Sequence, residues 1–144
     1  MIKIISHRGN LDGPKPDCEN NPTYIQSALD LGFDVEIDIW FISGNFYLGH
    51  DSPTYLVEYF WLKQRSNKLW FHAKNFDAVI QLSKDSDINY FWHENDKMTL
   101  TSKGIPWCYP NNFILNGITV HLDKKDKEIN VFGICTDQPL SWSK

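Results

Sequence analysis

Apolar and polar positions alternate along the first half of the chain as strands followed by helices. Short apolar runs rich in β-branched and aromatic residues predict strands at 2–6, 33–42, 68–74 and 89–94. Apolar positions at helical spacing predict helices at 21–32, 54–66 and 76–86. Strands that alternate with helices in this way are typical of right-handed βαβ units and a parallel sheet.

Local signals mark the predicted helix ends. Pro22 lies near the start of the first helix and Gly32 at its stop, while Asn75 is a plausible cap for the third. The order Ser52-Pro53 predicts that the second helix begins there. These signals agree with the periodicity of the apolar positions.

The pattern changes after Glu94. Segments 104–110, 112–117, 118–122 and 129–137 resemble short strands, and no amphipathic helix is evident among them. Dividing 144 residues among eight units leaves 18 each, against about 31 in a typical barrel of ~250 residues. We therefore predict an α/β protein with a trimmed (β/α)8 TIM-type barrel, formed by one domain over residues 1–144, with helices mainly on the first half.

Composition and charge exclude several classes. With 14 Lys and Arg against 18 Asp and Glu, the net charge of −4 lacks the basic character that nucleic-acid binding requires. The apolar runs are far shorter than the ~20 residues of an integral membrane segment. The opening "MIKII" meets polar sequence too early for a secretory signal, so we expect a cytoplasmic protein. Three cysteines without C-x-x-C spacing indicate free thiols.

Glu36 and Asp38 are the first candidates for chemistry. They are two residues apart in the second strand, so both side chains point to one side, while Val35 and Ile37 point to the other. Enclosed like charges cost several kcal/mol per ion unless something compensates them, and oxygen ligands favour Mg²⁺, Ca²⁺ or Mn²⁺. A salt-bridged or exposed pair is the alternative interpretation.

Other polar residues fall at the same end of the predicted strands. His7 and Arg8 end the first strand, and His72 and Lys74 lie two apart in the third. His50 precedes the next predicted helix. Each has an ordinary alternative as a local hydrogen-bonding or ion-pairing residue, but their coincidence at one end favours a site.

These motifs resemble a known family. The chain carries "SHRG", then "ENNPTYIQSALDLGFDVEIDI", then "FYLGHD", and later "GICTDQP". Their order is similar to that of the glycerophosphodiester phosphodiesterases, within the group that includes phosphatidylinositol-specific phospholipases C and sphingomyelinase-D-like enzymes. The match covers residues 2–51 and the final strand with Thr136 and Asp137.

The resemblance implies a role for each matching residue. His7 and His50 would be the general acid and base, since histidine exchanges protons near neutral pH. Glu36 and Asp38 would hold a divalent cation, Mg²⁺ or Ca²⁺ and less typically Mn²⁺. The remaining implied residues are Arg8 and Lys74 as phosphate ligands and Glu19 as a metal-associated carboxylate.

The chain departs from the family in three places. His72 stands where the family has a carboxylate and would itself be a metal ligand, Asn21 replaces a threonine, and the chain is shorter than family members. We predict a metal-dependent phosphodiesterase that acts on a glycerophosphodiester or related lipid-derived diester, by hydrolysis or through a cyclic phosphate. The alternative is an inactive barrel that binds an anion or a partner.

Self-association is a further expectation. A second half without helices would leave outward apolar residues such as Trp107, Ile118 and Val131 uncovered, and a second copy of the chain would cover them. Irregular segments that carry Tyr109 and Phe113 are the alternative cover.

Overall fold

Ten strands and four short helices make up the protein, and the computed structural model describes residues 1–144. The strands are β1 Lys3–His7, β2 Asp34–Ile42, β3 Asn45–Leu48, β4 Tyr55–Val57, β5 Leu69–Ala73, β6 Tyr90–Phe91, β7 Met98–Leu100, β8 Pro106–Cys108, β9 Ile118–Val120 and β10 Gly133–Thr136. The helices are α1 Pro22–Asp30, α2 Tyr59–Gln64, α3 Phe76–Leu82 and α4 Pro139–Trp142.

All ten strands belong to one sheet. Eight follow the path β4-β3-β2-β1-β10-β9-β8-β7, and β5 pairs with the other edge of β2 and with β6. The pairs among β6, β5, β2, β1, β10, β9 and β8 are parallel, whereas β3, β4 and β7 pair antiparallel. The result is a curled, mixed α/β half-barrel with few helices, which confirms the α/β class; a full barrel with a helix after each strand is not formed.

The first helix forms where its sequence signals place it. The Asn21 side chain accepts a hydrogen bond from the Thr23 backbone N–H, Pro22 occupies the first turn, and Gly32 follows the helix with a φ of 93°. Ile25 and Ala28 are fully buried on the helix face that contacts the sheet. Asn75 caps α3 in the same manner, by accepting from the Ala78 N–H.

The second predicted helix is wrong over its first part. Residues Tyr55–Val57 form β4, and α2 begins only at Tyr59. β4 pairs antiparallel with β3, where Val57 lies opposite Phe46 and is buried with it. Ladder hydrogen bonds and apolar burial thus outweigh the cap signal at Ser52.

The second half also differs from the prediction in detail. Segment 112–117 contains no strand, and neither the strand β7 nor the helix α4 was predicted. The other predicted strands form, with shorter bounds than the sequence indicated. None of the four helices combines the length and the apolar character needed to span a bilayer.

The two faces of the sheet carry different cores. Outward residues of β2 and β5 pack with α1, α2 and α3 in one apolar cluster, which includes Val35, Ile37 and Phe71. A second cluster fills the concave side of the sheet and consists of Ile5, Trp70, Phe91, Trp107, Ile118, Val120 and Cys135.

The expectation about outward apolar residues is wrong for Trp107 and Ile118. Both belong to the concave cluster, because the curled sheet brings strands of the second half face to face with Trp70 and Phe91. Val131 is buried as well. These three residues therefore need no cover from a second copy of the chain, so the stated reason for self-association does not hold.

Candidate functional site

The predicted site residues of β1, β2 and β5 are neighbours in the ladder. His7 lies opposite Glu36, and Asp38 lies opposite His72. The alternation along β2 puts Val35, Ile37 and Ile39 in the helix-side core, and the carboxylates of Glu36 and Asp38 on the concave face with the histidines. This arrangement is the one expected from the sequence.

Asp38 is the most enclosed charged residue of the site, with no exposed surface. Its Oδ2 accepts a hydrogen bond of 2.9 Å from the Asn20 amide and lies 3.1 Å from Arg8 Nε. Its Oδ1 lies 3.2 Å from His72 Nδ1. Burial would raise the pKa of Asp38, but His72, Arg8 and Asn20 together hold it well below its ordinary value.

Glu36 has the opposite electrostatic character. It is buried, and its Oε2 has no hydrogen-bond partner within the chain. The nearest imidazole nitrogens are His72 Nδ1 at 3.8 Å from Oε1 and His7 Nε2 at 3.9 Å from Oε2. Burial and the charge of Asp38 raise the pKa of Glu36 despite these histidines.

Three side chains of this site converge as metal ligands would. One ligand atom from each of Glu36, Asp38 and His72 lies within 4.8 Å of the other two. Two buried carboxylate oxygens in this group, Glu36 Oε2 and Asp38 Oδ1, accept no hydrogen bond. Buried acceptors without partners are costly, and a divalent cation would satisfy both, so these residues could hold one.

His7 is oriented by a carboxylate of the last strand region. Its Nδ1 lies 2.8 Å from Oδ1 of Asp137, which directly follows β10. Because a carboxylate accepts, Nδ1 carries the proton, and Nε2 lies on the side of Glu36 Oε2, 3.9 Å away. Burial alone would lower the pKa of His7. The Asp137 hydrogen bond and the Glu36 charge outweigh this effect, so the pKa of His7 lies above its ordinary value.

His50 has a similar partner but is more exposed. Its Nδ1 lies 2.7 Å from Asp51 Oδ1, and its side chain is 40% accessible. The preceding Gly49 fixes its position, since the Gly49 N–H donates to the Asp38 carbonyl and the Gly49 carbonyl accepts from the Trp40 indole. Each predicted catalytic histidine thus pairs through Nδ1 with an aspartate.

Arg8 and Glu19 bind each other in the site. Arg8 Nη1 donates to Glu19 at 3.2 Å, and Asn10 donates to the other carboxylate oxygen of Glu19. Arg8 adopts a φ of 56°, which turns the backbone at the end of β1. Glu19 is therefore engaged by two donors and is outside the group of converging ligand atoms formed by Glu36, Asp38 and His72.

Lys74 and His93 lie on the β5 and β6 side. Lys74 Nζ is 4.0 Å from Asp38 Oδ1 and lines a small cavity together with His50 and His93. The His93 ring stacks on His72 at a centroid distance of 4.7 Å. Burial, with the nearby charges of His72 and Lys74, lowers the pKa of His93 to about 4.

Two cavities meet at the predicted catalytic residues. An inner cavity of about 160 Å³ extends into the concave side of the sheet, and an outer cleft of about 570 Å³ opens to solvent. His7, Arg8 and His50 line both of them. The structure thus brings the two histidines together at one opening, with Glu36 in the wall of the inner cavity.

Sequence reasoning left several site residues without a role. Asp137 directly follows β10, and His93 comes two residues after β6. The rule that site residues lie at the carboxyl ends of parallel strands would have found both. The aromatic wall of Phe91 and Trp107 had no such signal, because the sequence does not show which face of a two- or three-residue strand points inward.

Comparisons with known proteins give no assignment. No family model, no curated protein and no solved structure matches this chain.

Proposed function

We propose that this protein is a metal-dependent phosphoric diester hydrolase, acting on a glycerophosphodiester or a related lipid-derived diester. The observation that carries the proposal is the meeting of His7 and His50 at a cavity whose wall includes Glu36. The resemblance of "SHRG", "EID" and "GHD" to the glycerophosphodiester phosphodiesterases supports it. In this proposal the curled sheet is a trimmed form of the (β/α)8 barrel.

The two histidines would share the proton transfers. One accepts a proton from the attacking oxygen, of water or of a neighbouring substrate hydroxyl, as that oxygen bonds to phosphorus. The other donates a proton to the leaving alkoxide as its bond to phosphorus breaks. Asp137 and Asp51 hold Nδ1 of His7 and His50, so that Nε2 of each ring is free for these transfers.

Glu36, Asp38 and His72 would hold the cation. When bound, it would neutralise charge on the phosphodiester and on the transition state. Arg8 and Lys74 would contribute further positive charge towards the phosphate oxygens. Arg8 is also held by Glu19 and Asp38, which fixes its guanidinium at the rim of both cavities.

A second candidate function is binding of an anion or a partner without catalysis. His72, Arg8 and Lys74 all lie within 4.0 Å of Asp38. These side chains offset part of the buried negative charge without any ion, so the cluster would also be compatible with a protein that binds an anion or a partner without catalysis.

A panel of phosphodiesters assayed with Mg²⁺, Mn²⁺, Ca²⁺ or a chelator separates the two candidates. We expect turnover that requires a divalent cation and falls by about 10²–10⁴-fold in His7→Ala and in His50→Ala. His121→Ala is the matched control, because His121 lies outside both cavities and its loss should leave turnover unchanged.

Two results would count against the hydrolase. Turnover that survives both His7→Ala and His50→Ala would contradict the acid–base pair. The absence of turnover on every diester, together with the absence of a cation-dependent rise in melting temperature, would favour the non-catalytic candidate.

A further inference from the structure

The two cavities that meet at His7 and His50 differ in chemistry. The outer cleft is polar, and its wall includes Glu19, Asp51 and Thr54. The inner cavity has an apolar wall of Phe91, Trp107, Val120 and Cys135, and its remaining lining includes polar residues such as Glu36 and His93. A phosphodiester also has two sides, because two alcohol arms leave the phosphorus in different directions.

The apolar wall is formed by side chains that are themselves fixed. Phe91 and Trp107 are 2% and 3% exposed and stack on each other with ring centroids 4.6 Å apart. Val120 and Cys135, from β9 and β10, complete the wall. Because these residues belong to the packed concave cluster, the cavity keeps its shape without a ligand.

From this division of the site we propose that the inner cavity receives an apolar, ring-sized alcohol arm of the substrate, and that the polar arm lies in the outer cleft. This inference rests on the proposed diesterase function and names the substrate class more narrowly. The phosphate would lie at the junction, where His7, Arg8 and His50 line both cavities.

Size and solvation favour an apolar ring over a polyol in the inner cavity. Its volume of about 160 Å³ is close to the ~150 Å³ of an apolar protein cavity that binds benzene. The hydroxyl groups of a glycerol arm would lose hydration against Phe91, Trp107 and Val120, whose side chains offer one donor, the Trp107 indole N–H, and no acceptor. A phenyl or short branched alkyl arm loses no hydrogen bonds there.

Phosphomonoesters test this assignment without requiring turnover. Isothermal titration in Mg²⁺ would compare phenyl phosphate with glycerol 3-phosphate, which carry the same phosphate group. We expect phenyl phosphate to bind at least about tenfold more tightly, since it buries a ring. Diesters with the same two arms should show a matching preference in kcat/KM.

Two changes at Val120 connect the preference to this cavity. Val120→Phe fills the space, and Val120→Thr keeps the shape but adds a hydroxyl to the wall. Both should reduce the preference for phenyl phosphate over glycerol 3-phosphate. In Val120→Phe the two ligands should bind with about equal affinity. Ile80→Phe is the matched control, because it adds the same ring on the exposed face of α3, and its preference should equal that of the wild type.

The outcomes distinguish failure of the inference from failure of the function. Equal affinities, or tighter binding of glycerol 3-phosphate, would overturn the arm assignment and leave the diesterase proposal intact. If neither monoester binds, the arm assignment is overturned, whereas the diesterase proposal is decided by turnover of the diester panel. A preference that Val120→Phe and Val120→Thr leave unchanged would place the ring elsewhere and overturn the assignment even if the preference itself is observed.

Discussion

Asn20 joins the loop after β1 to the middle of β2 through both ends of its amide. Its Nδ2 donates to Asp38 Oδ2, and its Oδ1 accepts from the Asp38 backbone N–H. The residue is fully buried and has a φ of 65°, a conformation that Asn and Asp tolerate better than other side chains. Asn20 therefore positions the carboxylate that the site depends on.

Asn20→Asp should destabilise the fold even though shape and backbone tolerance are kept. The substitution replaces a donor with a second carboxylate beside Asp38, so a buried hydrogen bond becomes a repulsion. We expect the free energy of unfolding at pH 7 to fall by about 2–4 kcal/mol in urea denaturation.

Asn111→Asp is the matched control for this change. Asn111 has nearly the same φ, 66°, but is exposed and makes no side-chain hydrogen bond. Its substitution should change the free energy of unfolding by less than about 0.5 kcal/mol. Equal effects of the two substitutions would show that the backbone conformation, and not the contact with Asp38, makes Asn20 important.

At the scale of elements, the β2–β3 hairpin carries His50 to the site, and Gly49 allows the tight turn of the backbone that follows β3. Gly49 has a φ of 152°, and a Cβ there would lie 2.0 Å from the Ser52 carbonyl oxygen. That oxygen belongs to the backbone and cannot move aside as a flexible side chain would. Gly44, in the turn of the same hairpin, also has a positive φ, 82°, but a Cβ there meets nothing within 4 Å.

Gly49→Ala and Gly44→Ala should therefore differ in cost. For Gly44→Ala we expect a loss of about 1–2 kcal/mol from the backbone conformation alone. For Gly49→Ala we expect the free energy of unfolding to fall by about 2–4 kcal/mol in the same urea denaturation. Turnover should also fall in Gly49→Ala and not in Gly44→Ala, because only the first substitution displaces His50. Similar stability and turnover in both variants would contradict the close approach at Gly49.

An ion-pair cluster connects α2 to the segment after α3. Lys63 Nζ lies 2.6 Å from both Asp85 and Asp87, and the Tyr59 hydroxyl donates to Asp85. Hydrogen bonds from Lys63 and Tyr59 lower the pKa of Asp85 to about 2 from the ordinary 3.8. A carboxyl with a depressed pKa stabilises the fold above its unfolded pKa and loses that contribution as the pH falls towards the folded value.

Asp85→Asn should consequently remove the part of the pH dependence of the free energy of unfolding that Asp85 causes between about pH 4 and pH 2. We expect its urea midpoint to lie below that of the wild type at pH 5 and to approach the wild-type midpoint at pH 2. Asp17→Asn is the control, since Asp17 is exposed and has no hydrogen-bond or ion-pair partner. A constant gap between Asp85→Asn and the wild type at every pH would argue against the pairing.

The sequence predicted elements well where a local signal and burial agree. α1 follows from apolar positions at helical spacing between Pro22 and Gly32, and the inward carboxylates of β2 follow from strict alternation. The start of α2 could not be predicted, because pairing of Val57 with Phe46 is a contact between segments. The inward position of Trp107 depends in the same way on curvature of the whole sheet, and no local pattern encodes it.

At the scale of the whole molecule, the concave side of the sheet combines an apolar core with buried charges. Asp34, Glu36 and Asp38 all face this side from β2, but their surroundings differ. Asp34 lies 2.8 Å from Lys3 Nζ and accepts a hydrogen bond from the Trp70 indole. Glu36 has a buried oxygen without a partner. Since burial and the charge of Asp38 raise the pKa of Glu36, the ionised form of Glu36 lowers the stability of the fold at pH 7.

Glu36→Gln should thus separate stability from cation binding. Without a cation, we expect the variant to be more stable than the wild type by about 1 kcal/mol, because it has no buried charge to compensate. Saturating Mg²⁺, at 100 times its Kd, should stabilise the wild type by about 2.7 kcal/mol, seen as a higher melting temperature than in chelator, and should leave Glu36→Gln unchanged. Asp34→Asn is the matched control on the same strand: it should lose stability, because Lys3 and Trp70 exchange a charged acceptor for a neutral one, and should keep the response to Mg²⁺. A Glu36→Gln variant that is destabilised without a cation, or that still responds to it, would show that Glu36 is compensated within the chain and is not a ligand.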